Sequence, residues 1–170
     1  MFGAFRRAKA VSVVKTMLNQ TLAPLTAFGQ IIPGSIYEDP YILGYLTAIS
    51  GFGTEMATQG KLSVDDIGRV SIEAFHAIAG ANGRIAVENT IRFSTEQNRQ
   101  FREGQRQANR MIEVMYGQLG PDDDPEIAEA FSVVSKMGTF PQGANNPQTV
   151  AAAYLSQIHF TNYVRTNHPS

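Results

Sequence analysis

Apolar residues recur along this chain at intervals of three and four, the spacing of a helix face, and nowhere in a sustained alternation. Val64, Ile67, Val70, Ala74, Phe75 and Ile78 form one such face. Ile127, Phe131 and Val134 form another, and Val150, Tyr154 and Ile158 a third. Proline following an N-cap residue marks helix starts at Asp39-Pro40, Asp124-Pro125 and Asn146-Pro147, where a side-chain acceptor precedes a pre-set φ. Ser63 followed by Asp66 is a weaker start of the same kind. Gly60, Gly80, Gly120 and Gly138 stand where helices should stop.

These signals predict six helices: Ala4 to Ala23, ending before Pro24; Pro40 to Thr58; Val64 to Ala79; Arg84 to Leu119; Pro125 to Met137; and Pro147 to Thr166. Gly29 to Tyr37, which contains Pro33-Gly34, reads as a turn-containing loop and not a strand. The expected architecture is all-α, an irregular bundle of about six helices around one long central helix, kinked or straight. At 170 residues it forms a single domain. Residues 1–37 are a basic helix plus loop that either packs on the core or acts as an arm.

The fourth predicted helix carries the main anomaly. Unbroken, its 36 or so residues would extend about 54 Å, longer than a domain of this size is wide. Its ends are apolar, with Val87 and Ile91 at one and Met111, Ile112 and Met115 at the other. Its middle places Ser94, Gln97, Asn98 and Gln105 where the core should be, relieved only by Phe101 and Gly104. Either the helix breaks near Ser94 to Asn98 or this stretch packs against something polar. On the second alternative Ser94, Gln97, Asn98, Phe101 and Gln105 form a partner surface.

The same helix gathers Arg84, Arg92, Arg99, Arg102, Arg106 and Arg110 within an arc of about 80°. Such a stripe suits an anion, with Arg92, Arg99, Arg102, Arg106 and Arg110 as its ligands. Interleaved Glu88, Glu96, Glu103 and Glu113 make a self-paired, solvated face the better reading.

Charge is uneven elsewhere. The net charge is −1, yet residues 1–37 contain Arg6, Arg7, Lys9 and Lys15 and no acid. With Phe2 and Phe5 alongside Arg6, Arg7 and Lys9, the segment has the composition of a helix lying on an anionic membrane. The competing reading buries Val14, Leu18 and Leu22 and leaves the charges in water. A near-neutral chain argues against general nucleic-acid affinity.

In the second helix Gly44, Ala48 and Gly51 form a ridge of small residues that admits a close neighbour at a cost of about 1 kcal/mol per interior glycine. Tyr41 and Tyr45, with His76, could line a small-ligand cavity; otherwise His76, beside Phe75 and Ile78, is a buried or half-buried structural histidine. His76, His159 and His168 show no metal-ligand spacing, and Asp122-Asp123-Asp124 lacks that of a calcium loop. Absence of cysteine removes thiolate metal sites and cysteine nucleophiles. No cofactor is implied, no stretch is long and apolar enough to span a membrane, and no leader is discernible, so a cytoplasmic location is expected. The function these residues favour is a non-catalytic helical interaction or assembly protein, a homo-oligomer or complex subunit. Peripheral membrane binding and a ligand-binding or enzymatic site assembled from scattered residues are the alternatives.

Overall fold

The computed structural model describes residues 2–27, 31–136 and 146–169, with Phe2 and Gly3 as backbone only. The described chain is helical and contains no strand. The first helix, α1 (Phe2–Thr26), does not stop before Pro24 but runs through it. Proline removes one backbone hydrogen bond there. The last turn is held nonetheless by burial of Leu22 and Leu25 and by Arg165 Nη2, which donates to the Pro24 carbonyl at 3.2 Å. Ala10, Val14, Leu18 and Leu22, spaced by four, form the buried face of this helix.

The second helix, α2 (Pro40–Thr58), begins as the sequence predicts, with Asp39 Oδ1 accepting from the Ile42 N–H at 3.0 Å. The third, α3 (Val64–Ala79), is capped by Ser63, whose Oγ accepts from the Asp66 N–H at 3.2 Å. At Gly80, with φ of +55°, the chain enters a short 3-10 turn and reverses into α4 (Gly83–Thr95). Gly83 is pressed against His76: a Cβ there would lie 2.8 Å from both its Cα and its Nδ1. His76 is exposed, and so is not the buried or half-buried histidine its apolar neighbours suggested.

The long helix expected from Arg84 to Leu119 is two helices, α4 and α5 (Arg99–Met115). Between them Gln97 adopts φ of +51°. Asn98 then caps α5, its Oδ1 accepting from the N–H groups of Gln100 and Phe101 at 2.9 and 3.1 Å. The break has a physical cause. No apolar stripe binds Ser94–Asn98 to the core, and an asparagine side chain competes well for free N–H groups. The turn also lets Phe93 and Phe101 both reach the core, with ring centroids 6.5 Å apart. Helix α5 ends near Gly117 (φ +69°), earlier than Gly120 suggested.

Helices α6 (Pro125–Lys136) and α7 (Pro147–Ser156) follow, the latter running through a π-helical segment, Gln157–Asn162, into α8 (Tyr163–Asn167). Together α7 to α8 correspond to the sixth predicted helix. Met137 and Gly138 lie outside the described residues.

Two apolar clusters result. The larger joins α1, α2, α3, α4, α5 from Phe101 to Ile112, and the π segment and α8, with Tyr45, Phe75, Phe101 and Phe160 fully buried. The smaller holds Val114, Ile127, Ala130, Val134, Ala151, Ala152 and Leu155, from the end of α5 and from α6 and α7. Where α2 crosses α5 their backbones touch. A Cβ on Gly44 would overlap the Phe101 carbonyl oxygen, and one on Gly104 would overlap that of Tyr41. Arg110, on α5, pins α6: its Nη2 lies 2.8 Å from Asp124 Oδ1 and its Nη1 2.9 Å from Glu126 Oε2. His159 Nε2, from the π segment, lies 2.9 Å from the other Glu126 oxygen.

The tyrosines make the fold sensitive to alkali. Burial pushes Tyr45 up to about 12. Burial and then the neighbouring Asp39 carboxylate push Tyr163 up to about 12 as well, and burial raises Tyr41. An unfolded tyrosine titrates near 10. The fold thus favours the neutral phenols, and the stability this confers is complete below pH 10 and lost as pH rises through 12. Tyr45 alone is expected to account for roughly 2–3 kcal/mol of that loss. Urea denaturation of wild type and Tyr45→Phe between pH 8 and 12 checks this; equal pH slopes for the two would contradict it.

Candidate partner-binding groove

Helix α2, of sequence PYILGYLTAISGFGTEMAT, is almost wholly apolar or small, as befits a helix with neighbours on most sides. Helix α1 covers one flank, α5 another, and α3 and α4 pack against a third. Ser50 Oγ and Ser71 Oγ, 2.8 Å apart, tie α2 to α3. Among the described residues one stripe is left uncovered: Thr47, Ala48, Gly51, Phe52 and Glu55, spaced as successive turns of one helix face.

Two hollows meet over this stripe, with Thr47 and Gly51 bordering both. The one toward α5 has a volume of about 660 Å³ and is walled by Phe52, Glu55, Gln105, Asn109, Glu113 and Tyr116. Phe52 and Tyr116 pack with ring centroids 5.2 Å apart, and the Tyr116 hydroxyl donates to Met56 Sδ at 3.2 Å. The other, about 400 Å³, lies toward α3 and α4 and is walled by Val64, Ile67, Ile72, Ile91, Ser94 and Phe101. Its rim leaves Val64 84% and Ile91 55% exposed. Among the described residues Glu55 and Glu113 are the only charged ones lining either hollow, and both belong to the hollow toward α5. A Cβ on Gly51 would meet nothing within 4 Å, so the floor is open as well as smooth.

Three of the five residues expected as a partner surface border these hollows. Ser94 and Gln105 line the groove from opposite sides, and the buried Phe101 forms part of its floor. Gln97 and Asn98 line neither hollow; they make the turn between α4 and α5.

No family model, curated protein or solved structure matches this chain.

The arginines do not converge. The break at Gln97 places Arg92 on α4, where its guanidinium lies 4.6 Å from the Phe93 ring centroid, and the others on α5. Arg106 donates to Glu103 at 2.7 and 3.0 Å, and these bonds hold the Glu103 carboxyl below its ordinary range. Arg110, 15% exposed, faces Asp124 and Glu126. Hydrogen bonding from the Glu126 N–H keeps Asp124 below the usual carboxylate range. Arg99 and Arg102 lie exposed on α5.

At the amino end Phe5 is 75% exposed. Phe5, Arg6 and Lys9 border a hollow of about 370 Å³ whose far side includes Lys61. Arg7 turns away to Glu73, 3.5 Å distant. The Phe2 side chain lies outside the described residues. Tyr41, Tyr45 and His76 share no hollow among the described residues. Tyr41 stacks on Tyr163 at 4.3 Å, Tyr45 packs against Phe160 at 4.9 Å, and His76 stands exposed on α3. No group of three or more metal-ligating side chains gathers among the described residues, and no described helix is long and apolar enough to cross a membrane.

Proposed function

We propose that this chain is a helical assembly protein and that its partner surface is the groove along α2. The observation carrying this reading is a helix-spaced stripe of small residues on an otherwise covered, apolar helix, flanked by exposed Val64 and Ile91. Such a seat fits an amphipathic helix, for which small floor residues allow close approach. Among the described residues the lining contains no histidine, lysine or arginine, which suits docking better than acid–base chemistry.

The occupant we propose is the first turns of α1 from a second copy. They present the exposed Phe5 beside Arg6 and Lys9, a pairing complementary to the apolar walls on the α3–α4 side and the Glu55 and Glu113 carboxylates on the α5 side. Because donor and acceptor surfaces differ, the contact is heterologous and builds a ring or an open chain of copies.

Gly51→Leu tests this without threatening the fold, since the added side chain enters open space and helix propensity improves by about 1 kcal/mol. Size-exclusion chromatography with light scattering should give concentration-dependent association for wild type, weakened at least tenfold in Gly51→Leu and in Phe5→Ser/Arg6→Glu. A wild-type monomer at all concentrations, or undiminished association of Gly51→Leu, would sink the reading. The basic hollow around Lys61 favours a second reading, contact with anionic lipid. If Phe5→Ser/Arg6→Glu loses co-sedimentation with phosphatidylserine vesicles while its oligomeric state is unchanged, that second reading replaces the first.

A further inference from the structure

Away from the groove, Ser35 and Asp39, four residues apart, meet the distant His168 at the amino end of α2. Ser35 stands exposed on a single 3-10 turn, Gly34–Tyr37. Its Oγ lies 2.9 Å from Nδ1 of His168, which follows α8. The other ring nitrogen, Nε2, lies 3.0 Å from Asp39 Oδ2. The His168 and Asp39 side chains are only 12% and 13% exposed, whereas the serine faces solvent.

Asp39 is fixed from several directions. Its Oδ1 accepts from the Ile42 N–H, and its Oδ2 also accepts from the Tyr163 hydroxyl at 3.2 Å. Tyr163 is itself stacked on Tyr41. An aspartate oxygen already receiving hydrogen bonds acts as the acceptor toward His168, which places the imidazole proton on Nε2. Nδ1 is then a lone pair facing Ser35, and the hydrogen in the Ser35–His168 contact belongs to the serine. That is the arrangement in which a histidine accepts a serine proton as a carboxylate orients it. The two ring nitrogens exchange their more familiar roles, but either can act as the base.

A donor for developing negative charge stands nearby. Asn82 Nδ2 comes within 3.4 Å of the position a Cβ on Gly34 would occupy, one residue before Ser35. The Asn82 side chain makes no capping bond to α4. A neutral amide next to the residue that precedes the nucleophile can hydrogen-bond an oxyanion.

We propose that Ser35, His168 and Asp39 form a hydrolytic site that transfers the acyl group of small carboxylic esters to water, with Asn82 as oxyanion donor. In the first half, Ser35 Oγ bonds to the ester carbonyl carbon as its proton passes to His168 Nδ1. The tetrahedral adduct then expels the alcohol, which takes that proton as the carbon–oxygen bond breaks. In the second half, water attacks the acyl-serine, its proton passes to Nδ1, and collapse releases the acid and returns the proton to Ser35 Oγ. No oxidant, reductant or metal enters the balance. The proposal shares no residue with the groove, so its failure and that of the assembly reading are independent.

The full chain should be treated with a fluorophosphonate probe and digested for mass spectrometry, and assayed with p-nitrophenyl acetate and butyrate. The expected result is a single adduct on Ser35, absent from Ser35→Ala. Ester turnover should fall at least 100-fold in Ser35→Ala and in His168→Gln, with Tm within a few degrees of wild type for the exposed Ser35→Ala. Asp39→Asn keeps a capping side chain, so its loss of turnover at retained Tm would mark Asp39 as a positioning residue. The proposal is overturned by an unlabelled, inactive wild type, by turnover that survives Ser35→Ala, or by Ser35 labelling that is as fast in His168→Gln. In each of those cases the contact is only a clasp for the end of α8.

Discussion

Alanine at Gly104 is expected to destabilise this protein by at least about 3 kcal/mol, although glycine-to-alanine changes inside helices ordinarily stabilise by about 1 kcal/mol. The inversion follows from the backbone contact between α2 and α5. The added methyl would overlap the Tyr41 carbonyl oxygen and come within 2.9 Å of the Tyr45 amide nitrogen. Neither atom is the end of a flexible side chain, so one helix must move bodily and loosen the packing of Tyr45 and Phe101. Gly44→Ala, which meets the Phe101 carbonyl from the other side, should behave alike. The double variant should cost much less than the two single costs added together, because a single separation of the helices relieves both overlaps. Guanidinium denaturation of the three variants measures this. A Gly104→Ala protein as stable as wild type would mean that α2 and α5 do not meet at their backbones.

Phe101→Ala is expected to cost about 3–5 kcal/mol, the range for truncating a buried phenylalanine. The ring is 1% exposed and packs against Phe93 across the α4–α5 turn. Its neighbours in the expected partner surface should differ sharply. Ser94→Ala and Gln105→Ala remove groups that only line the groove, and surface changes of that kind fall within about 0.5 kcal/mol. Comparable losses at Phe101, Ser94 and Gln105 would contradict this division between floor and walls. The measurement thus separates a residue that builds the groove from residues that only border it.

How much of this could be read from the chain varies with the range of the interaction involved. The starts at Asp39-Pro40, Asp124-Pro125 and Asn146-Pro147 were legible because a cap is a contact between residues two or three apart. The polar centre of the long predicted helix was legible as an anomaly, and a break near Ser94 to Asn98 was one of two ways to relieve it. Nothing local identified Gln97 as the left-handed residue. Asn98 followed by Phe101 is, in hindsight, a cap signal inside a helical pattern. Gly44 and Gly51 looked alike as members of one ridge, yet one is jammed against α5 and the other lies open. That difference depends on which flank each neighbour takes. Ser35, Asp39 and His168 are drawn together across separations of 133 and 129 residues, where no periodicity operates. No spacing rule in the sequence connects His168 to Ser35 or Asp39.

The division of the apolar interior into two clusters has a consequence for how the molecule breathes. The smaller cluster, built on Ile127, Val134, Ala151 and Leu155, has no aromatic residue among its fully buried members within the described residues, and meets the rest through the end of α5 and the continuation of α7 into the π segment. Opening it exposes far less apolar surface than opening the body around Tyr45 and Phe160, so thermal fluctuations reach it first. The Arg110 pairs with Asp124 and Glu126 act as its latch. Along the C-terminal helix, the boundary between soft and hard regions falls at the π segment. There His159 still belongs to the latch, while Phe160, one residue on, is already anchored in the main body.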